Sequence, residues 1–283
     1  MSETGTRTVE AVIPAIRQLE GGGFEVRRPF PTAALEQVDP FLLLDHMGPV
    51  DLAPGEAKGA PDHPHRGFET VTYMLEGTME HEDSAGHAGR IGPGDVQWMT
   101  AGSGVIHSEE PVESLRRDGG RMHGFQLWVN LPAKDKMVAP RYQEFTAAQI
   151  PRVERDHGVV VRVIAGRVGS VKGAVKTRTP VTYLHVSLPA DTRFEVPIPA
   201  SQNAIVYGIS GAGEGELTVY AHDGDVVELV NDDERTTREL LLLAGEPLRE
   251  PIARYGPFVM STKAELAQAV DDFEAGRFGA IAR

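Results

Sequence analysis

The chain has 283 residues, 41% apolar and 24% charged, with a formal net charge of −13 and no cysteine. That length holds one large or two ordinary domains, and so acidic a balance repels a phosphate backbone, which argues against direct nucleic-acid binding. The absence of thiols excludes disulfides and thiolate metal sites and fits a reducing cytoplasm; no apolar run reaches the roughly 18–20 residues a membrane-spanning helix needs, and the first twenty or so residues show no secretory leader pattern.

In chain order, 31 glycines and 20 prolines punctuate short apolar runs. "FLLLDHM" (41–47), "ETVTYMLEG" (69–77), "DVQWMT" (95–100) and "FQLWVNL" (125–131) come first. "VVVRVIAG" (159–166), "TYLHVSL" (182–188), "NAIVYGI" (203–209), "ELTVYA" (216–221), "DVVELV" (225–230) and "ELLLLAG" (239–245) follow. Short runs bounded by turn residues at this spacing predict an all-β chain of sandwiches or barrels. Between the two groups, "TAAQIPRVERD" (146–156) begins as a helical turn or linker, because Pro151 interrupts it. This places a domain boundary between 145 and 146, with an N-terminal domain over 1–145 and a C-terminal one over 146–283. The last segment, "STKAELAQAVDDFEAGRFG", predicts a packing helix with Ser261 as N-cap, Leu266, Val270 and Phe273 on one face, and Gly276 beyond its end.

The two groups of strands read as a repeat. With Gly77 set over Gly211, "ETVTYMLEG" lies on "NAIVYGISG", and a second offset lays "QWMTAG" (97–102) on "LLLLAG" (240–245). Under these offsets His63 and His65 meet Pro197 and Pro199, while His107 and Glu109 meet Glu250 and Ile252. The second half is thereby expected to lack the polar groups of the first.

Those groups are the chemistry of the chain. In "DHPHRGFETVTYMLEG", His63 and His65 stand two residues apart; on a strand they face one side, their Cα atoms about 6.6 Å apart, and both can reach one ion. "GDVQWMTAGSGVIHSEE" ends in a second such pair, His107 and Glu109, after a turn, a strand and a glycine-rich loop. Two strands that each turn two such side chains inward build a site of three imidazoles and one carboxylate. That donor set suits Fe(II), Mn, Ni, Cu or Zn rather than calcium or magnesium, and chemistry needs only that one or two positions stay open. Geometry alone leaves Glu69, the acid that follows the first pair, open as a ligand. His81 and His87 fall in a polar turn and read as solvent-facing. His46 and His123 read as neighbours of the cavity at most, and Trp98 and Trp128 as core.

With "DPFLLLD", "QLWVNLP" and "GPFVM" added to these two motifs, the chain resembles the pirin family of the cupin superfamily, from about Asp39 to Phe258. The resemblance implies an all-β bicupin: two antiparallel β-barrel or jelly-roll domains, ending here in a C-terminal α-helix, with metal only in the first. It implies that His63, His65, His107 and Glu109 are the metal ligands, most simply of Fe(II). Glu69 then becomes a structural acid, orienting a ligand or pairing with Arg66. It also implies that Gln126 sits beside the metal pocket as a substrate contact.

Two functions follow from the resemblance. One is a quercetin 2,3-dioxygenase-like oxidoreductase, in which a flavonol or similar enol meets O2 at the ion and Glu109 takes the substrate proton. The other is a metal-binding co-regulator that acts on transcription factors or metabolic enzymes by protein contact, using acidic surface such as "EGTMEHEDS". Neither involves a membrane or direct contact with nucleic acid.

Overall fold

The computed structural model describes residues 5–282. They form a mostly β protein of two compact units, each made from strands that alternate side chains between two faces. The sheets are open rather than closed barrels, as in a jelly roll. The units are not contiguous in sequence, as the expected boundary at 145/146 would make them. One unit takes Arg17–Arg28, Phe41–Ala147 and the described residues from Leu248 on; the other takes the described residues through Ile16, Pro29–Pro40 and Ala148–Pro247. The strand Val9–Pro14, near the start of the chain, pairs antiparallel with Glu216–Tyr220.

In the first of these units a seven-stranded antiparallel sheet runs Arg141–Phe145, Val96–Thr100, Phe68–Glu76, Gly120–Asn130, Phe41–Leu52, Phe24–Phe30, Ile16–Glu20. A four-stranded sheet orders Ala60–His65, Val105–Pro111, Met79–Asp83 and Ala88–Ile91. The other unit has its own seven-stranded sheet: Val9–Pro14, Glu216–Tyr220, Asn203–Ser210, Arg238–Gly245, Val181–Leu188, Val160–Ala165, Arg152–Glu154. There the smaller sheet is the pair Thr192–Pro197 and Val226–Asn231.

Six of the seven strands of the two large sheets match in order; only the edge strands Arg141–Phe145 and Val9–Pro14 come from opposite ends of their sheets' chain order. The repeat is therefore real, but only its first offset holds. Phe68–Glu76 and Asn203–Ser210 occupy the same central place, as the Gly77/Gly211 match requires. Val96–Thr100, however, corresponds to Glu216–Tyr220 and not to the strand carrying "LLLLAG", which takes the place of Gly120–Asn130. The partners expected for His107 and Glu109, Glu250 and Ile252, are therefore incorrect. The Pro197/Pro199 assignment errs by one residue. Pro197 and Pro199 are exposed, whereas Val196 and Ile198 are buried and pack with Val227 and Leu229 in the apolar core of that unit. A slip of one residue exchanges the faces of a strand.

The C-terminal helix spans Lys263–Glu274. Its N-cap is Thr262 rather than Ser261: the Thr262 hydroxyl accepts from the Glu265 N–H, and the Glu265 carboxylate accepts from the Thr262 N–H, a capping box. Leu266 and Val270 pack on Phe258 and Phe278. "TAAQIPRVERD" forms one 3-10 turn, Ala147–Gln149, and the short strand Arg152–Glu154. Among the described residues no helix is long and apolar enough to cross a membrane.

Candidate metal centre

His63 and His65 end the strand Ala60–His65, which pairs antiparallel with Val105–Pro111 so that His107 stands directly opposite His63. The pairing gathers all three imidazoles: ring centroids lie 4.7 Å apart for His63 and His65, 4.3 Å for His63 and His107, and 5.0 Å for His65 and His107. One nitrogen from each ring falls within 4.8 Å of the others. His107 is fully buried, yet neither of its ring nitrogens has a hydrogen-bond partner, and His65 Nδ1 has none either. Buried polar atoms left in this state cost about 1–3 kcal/mol each, so a cluster of them fits a bound cation. Burial, with the neighbouring imidazoles adding to it, holds His65 and His107 well below the ordinary histidine pKa. Both are neutral at physiological pH, which is the state that binds metal. His63 Nδ1 lies 2.7 Å from the Pro61 carbonyl, to which it donates; this fixes the tautomer and leaves Nε2 as an acceptor.

Glu109 follows His107 on the same face but stands just outside the imidazole cluster, Oε2 lying 3.9 Å from His107 Nε2. Its carboxylate is held from the opposite sheet. Thr72 Oγ1 is 2.8 Å from Glu109 Oε1 and 2.7 Å from Gln126 Oε1, and Gln126 Nε2 is 3.5 Å from Glu109 Oε2. Since the hydroxyl carries one proton, it donates to one of these oxygens at a time. Thr72 and Gln126 are directly paired across neighbouring strands, which aims both into the same space.

That space is a cavity of about 500 Å³ lined by His63, His65, Thr72, Glu109 and Gln126 on its polar side. Phe24, Val26, Leu43, Met47, Met79 and Trp128 form its apolar wall. Trp128 is thus not simply core, whereas Trp98 is fully buried. Opposite the histidines, Arg28 binds Asp45 through Nε at 2.6 Å and Nη2 at 2.5 Å, and Nη2 also lies 2.7 Å from Glu20. Burial works against this guanidinium, but Asp45 and Glu20 outweigh it and hold the Arg28 pKa raised. Arg254, whose guanidinium lies 4.9 Å over the Trp128 ring, closes the wall with Gly256 and Pro257.

Other residues singled out in the sequence lie elsewhere. Glu69 faces the opposite side of its strand from Thr72, and its Oε1 accepts from Thr100 Oγ1 at 2.6 Å. Arg66 pairs not with Glu69 but with Asp272 of the C-terminal helix, at 2.8 Å. His46 turns away from the cavity that its neighbour Asp45 lines; its Nε2 is 2.7 Å from His123 Nε2. His81 is not solvent-facing. Met79, His81 and Asp83 point inward along one strand, His81 directly opposite Glu109, with its Nε2 2.6 Å from Glu144 Oε1. His87 is half-exposed and bonds Asp83 at 2.9 Å. Thr72, His81, Arg28, Asp45 and the lining from Arg254 to Pro257 were not foreseen; only the alternation of "MEHED" carried a signal, for His81.

The chain as a whole is similar to known proteins. A family model described as "Pirin" matches residues 23–129, and one described as "Pirin C-terminal cupin domain" matches 183–279. The chain is 44% identical over 274 residues to the pirin of Mus musculus, covering 93% of this chain and 90% of that protein. It is 47% identical over 274 residues to a Pseudomonas aeruginosa protein provisionally named a quercetin 2,3-dioxygenase, with 93% and 95% covered. A crystal structure of quercetin 2,3-dioxygenase from Acinetobacter baumannii superposes with a TM-score of 0.91 at 36% identity, covering 98% of this chain and all of that one.

Proposed function

The chain belongs to the pirin family, and on that premise we propose that it is a cytoplasmic, metal-dependent dioxygenase that opens the ring of a flavonol or similar enol with O2. The observation that carries this reading is the pairing of a three-histidine cluster, in which buried His65 and His107 keep unsatisfied ring nitrogens, with a carboxylate beside a largely apolar cavity. His63, His65, His107 and Glu109 would hold the ion, with Fe(II) the first choice and Ni, Mn, Cu or Zn also matched by the donors. When bound, such an ion supplies a Lewis acid for the substrate oxygen and an electron path to O2.

The chain's own groups do the rest. The wall of Phe24, Val26, Leu43 and Trp128 accepts a flat aromatic body and excludes water. Glu109 takes the proton of the substrate hydroxyl. Thr72 and Gln126 hold its carboxylate in one orientation and so keep the accepting oxygen aimed into the cavity.

Oxygen uptake and carbon monoxide release, measured on Fe(II)-loaded protein with flavonols, test the reading. Turnover is expected; none at full iron occupancy would leave the co-regulator reading standing instead. Glu109→Gln should keep most of the metal by elemental analysis and lose turnover by about 100-fold or more. Wild-type turnover in that variant would remove Glu109 as the base.

A further inference from the structure

The cavity is completed by the far end of the chain. Arg254, Gly256 and Pro257 line it beside the histidines. The residue after His65 is tied to the same segment. The Arg66 N–H donates to the Pro257 carbonyl at 3.4 Å, and the Val259 N–H donates to the Arg66 carbonyl at 3.0 Å.

Two buried cations hold this junction. Arg66, 4% exposed, donates from Nε to the Ser103 carbonyl at 2.7 Å and from Nη1 to Asp272 Oδ2 at 2.8 Å, and its guanidinium lies 4.6 Å over the Phe278 ring. Lys136 Nζ donates to the Gly67 carbonyl at 2.8 Å, the Val259 carbonyl at 3.0 Å and Asn130 Oδ1 at 2.6 Å, which uses all three of its protons. It therefore staples the backbone just after His65 to the backbone just after Pro257. The approach is close enough to require glycine. Gly67 sits at φ +89°, and a Cβ there would stand 2.0 Å from the Val259 carbonyl oxygen; one on Gly104 would stand 2.6 Å from the Phe278 ring. Burying two cations is a costly way to fasten a helix, and apolar packing does the same with no desolvation penalty. Hydrogen bonds have direction, however, and both sets fix the backbone that follows His65 against the segment at Pro257 and Val259.

We propose that the segment from Ala253 to Phe278 is a positioning latch for His65, closed by Arg66–Asp272 and by Lys136, and that it sets how tightly the site holds its ion. This rests on the metal-site reading above. Groups that orient a histidine ligand are worth about 10–100-fold in metal affinity, and the latch fixes the backbone that carries His65.

Co(II) serves as the probe, with affinity measured by chelator competition and ligand geometry by the visible absorption of the bound ion. Asp272→Ala and Lys136→Met should each weaken Co(II) binding about 10-fold and shift its absorption bands, and Asp272→Glu should restore both. Thr262→Ala is the control: it removes the helix N-cap without touching Arg66, so at a comparable loss of Tm it should leave affinity and spectrum unchanged. Wild-type affinity and spectrum in Asp272→Ala and Lys136→Met would overturn the latch, as would an equal loss in Thr262→Ala. Wild-type protein that takes up no Co(II) would overturn the site reading itself and the latch with it.

Discussion

The two units answer one structural problem in opposite ways. Each lays a smaller sheet, four strands in the first and two in the second, beside a seven-stranded sheet that shares six strands in the same order, and each must fill the space between. In the second unit Val196 faces Val227 across the pair, and with Ile198 and Leu229 they join a continuous apolar core. Full burial of such side chains contributes about 1.5–3 kcal/mol each. In the first unit the facing residues are His63 and His107, and His107 keeps two buried nitrogens without hydrogen bonds. The fold does not need these histidines; the second unit shows how the position is filled when packing alone decides. The unsatisfied nitrogens of His107 are a local cost that, on the proposed reading, a bound ion would offset.

The most drastic way to break this contrast is to make the first unit like the second. His63→Val/His107→Val removes two of the three clustered imidazoles. Metal content by elemental analysis should fall to near zero, and turnover with it. The metal-free variant should also melt higher than metal-free wild type, because paired apolar groups replace unsatisfied polar ones. A lower Tm would mean that the histidines contribute packing the valines cannot replace. The reverse exchange is expected to be smaller but equally telling. Val196→His/Val227→His places two imidazoles in a filled apolar core and should cost about 2–5 kcal/mol in urea unfolding, with no gain in metal. Tight metal binding by that variant would mean that two facing histidines suffice, and that the third imidazole and the carboxylate are dispensable.

How much of this could be read from the sequence depended on the range of the interaction. His63, His65, His107 and Glu109 are visible because each pair repeats at the strand period with ligand residue types. The all-β class follows from short punctuated runs. What failed was non-local. Thr72 reads as a routine strand threonine until the opposite sheet brings Glu109 within 2.8 Å. The pairing of Val9–Pro14 with Glu216–Tyr220 joins segments some two hundred residues apart that carry no mutual signal. Asp272 and Pro257 likewise reach the site only through tertiary packing. The Pro197/Pro199 match shows a subtler failure: the right strand was found, but a one-residue error in register selects the exposed face.

The same comparison extends to the histidines on the outer faces of the matched strands, where the expected effect is smallest. In the second unit His185 bonds Glu239 at 2.9 Å, and the carboxylate of Glu239 is held low against the opposing effect of burial by His185 and Ser187. On the corresponding strand of the first unit, His46 has Arg27 and His123 as neighbours instead. Burial first, then these two groups, lower its pKa from 6.5 to about 2. The unfolded chain therefore binds a proton at His46 below pH 6.5 that the folded chain refuses down to about 2. Stability from this group is fully present above the unfolded value and is lost as pH falls, by about 1.4 kcal/mol per pH unit. Buried His65 and His107 add to the slope between pH 7 and pH 5, and Asp45, raised to about 6 by burial, opposes it, so the share of His46 is read as a difference between variants in urea unfolding. His46→Phe, which keeps a ring on Phe125, should lower the slope relative to wild type by up to about 1.4 kcal/mol per pH unit. An unchanged slope in His46→Phe would assign the acid sensitivity to another group and remove this difference between the units.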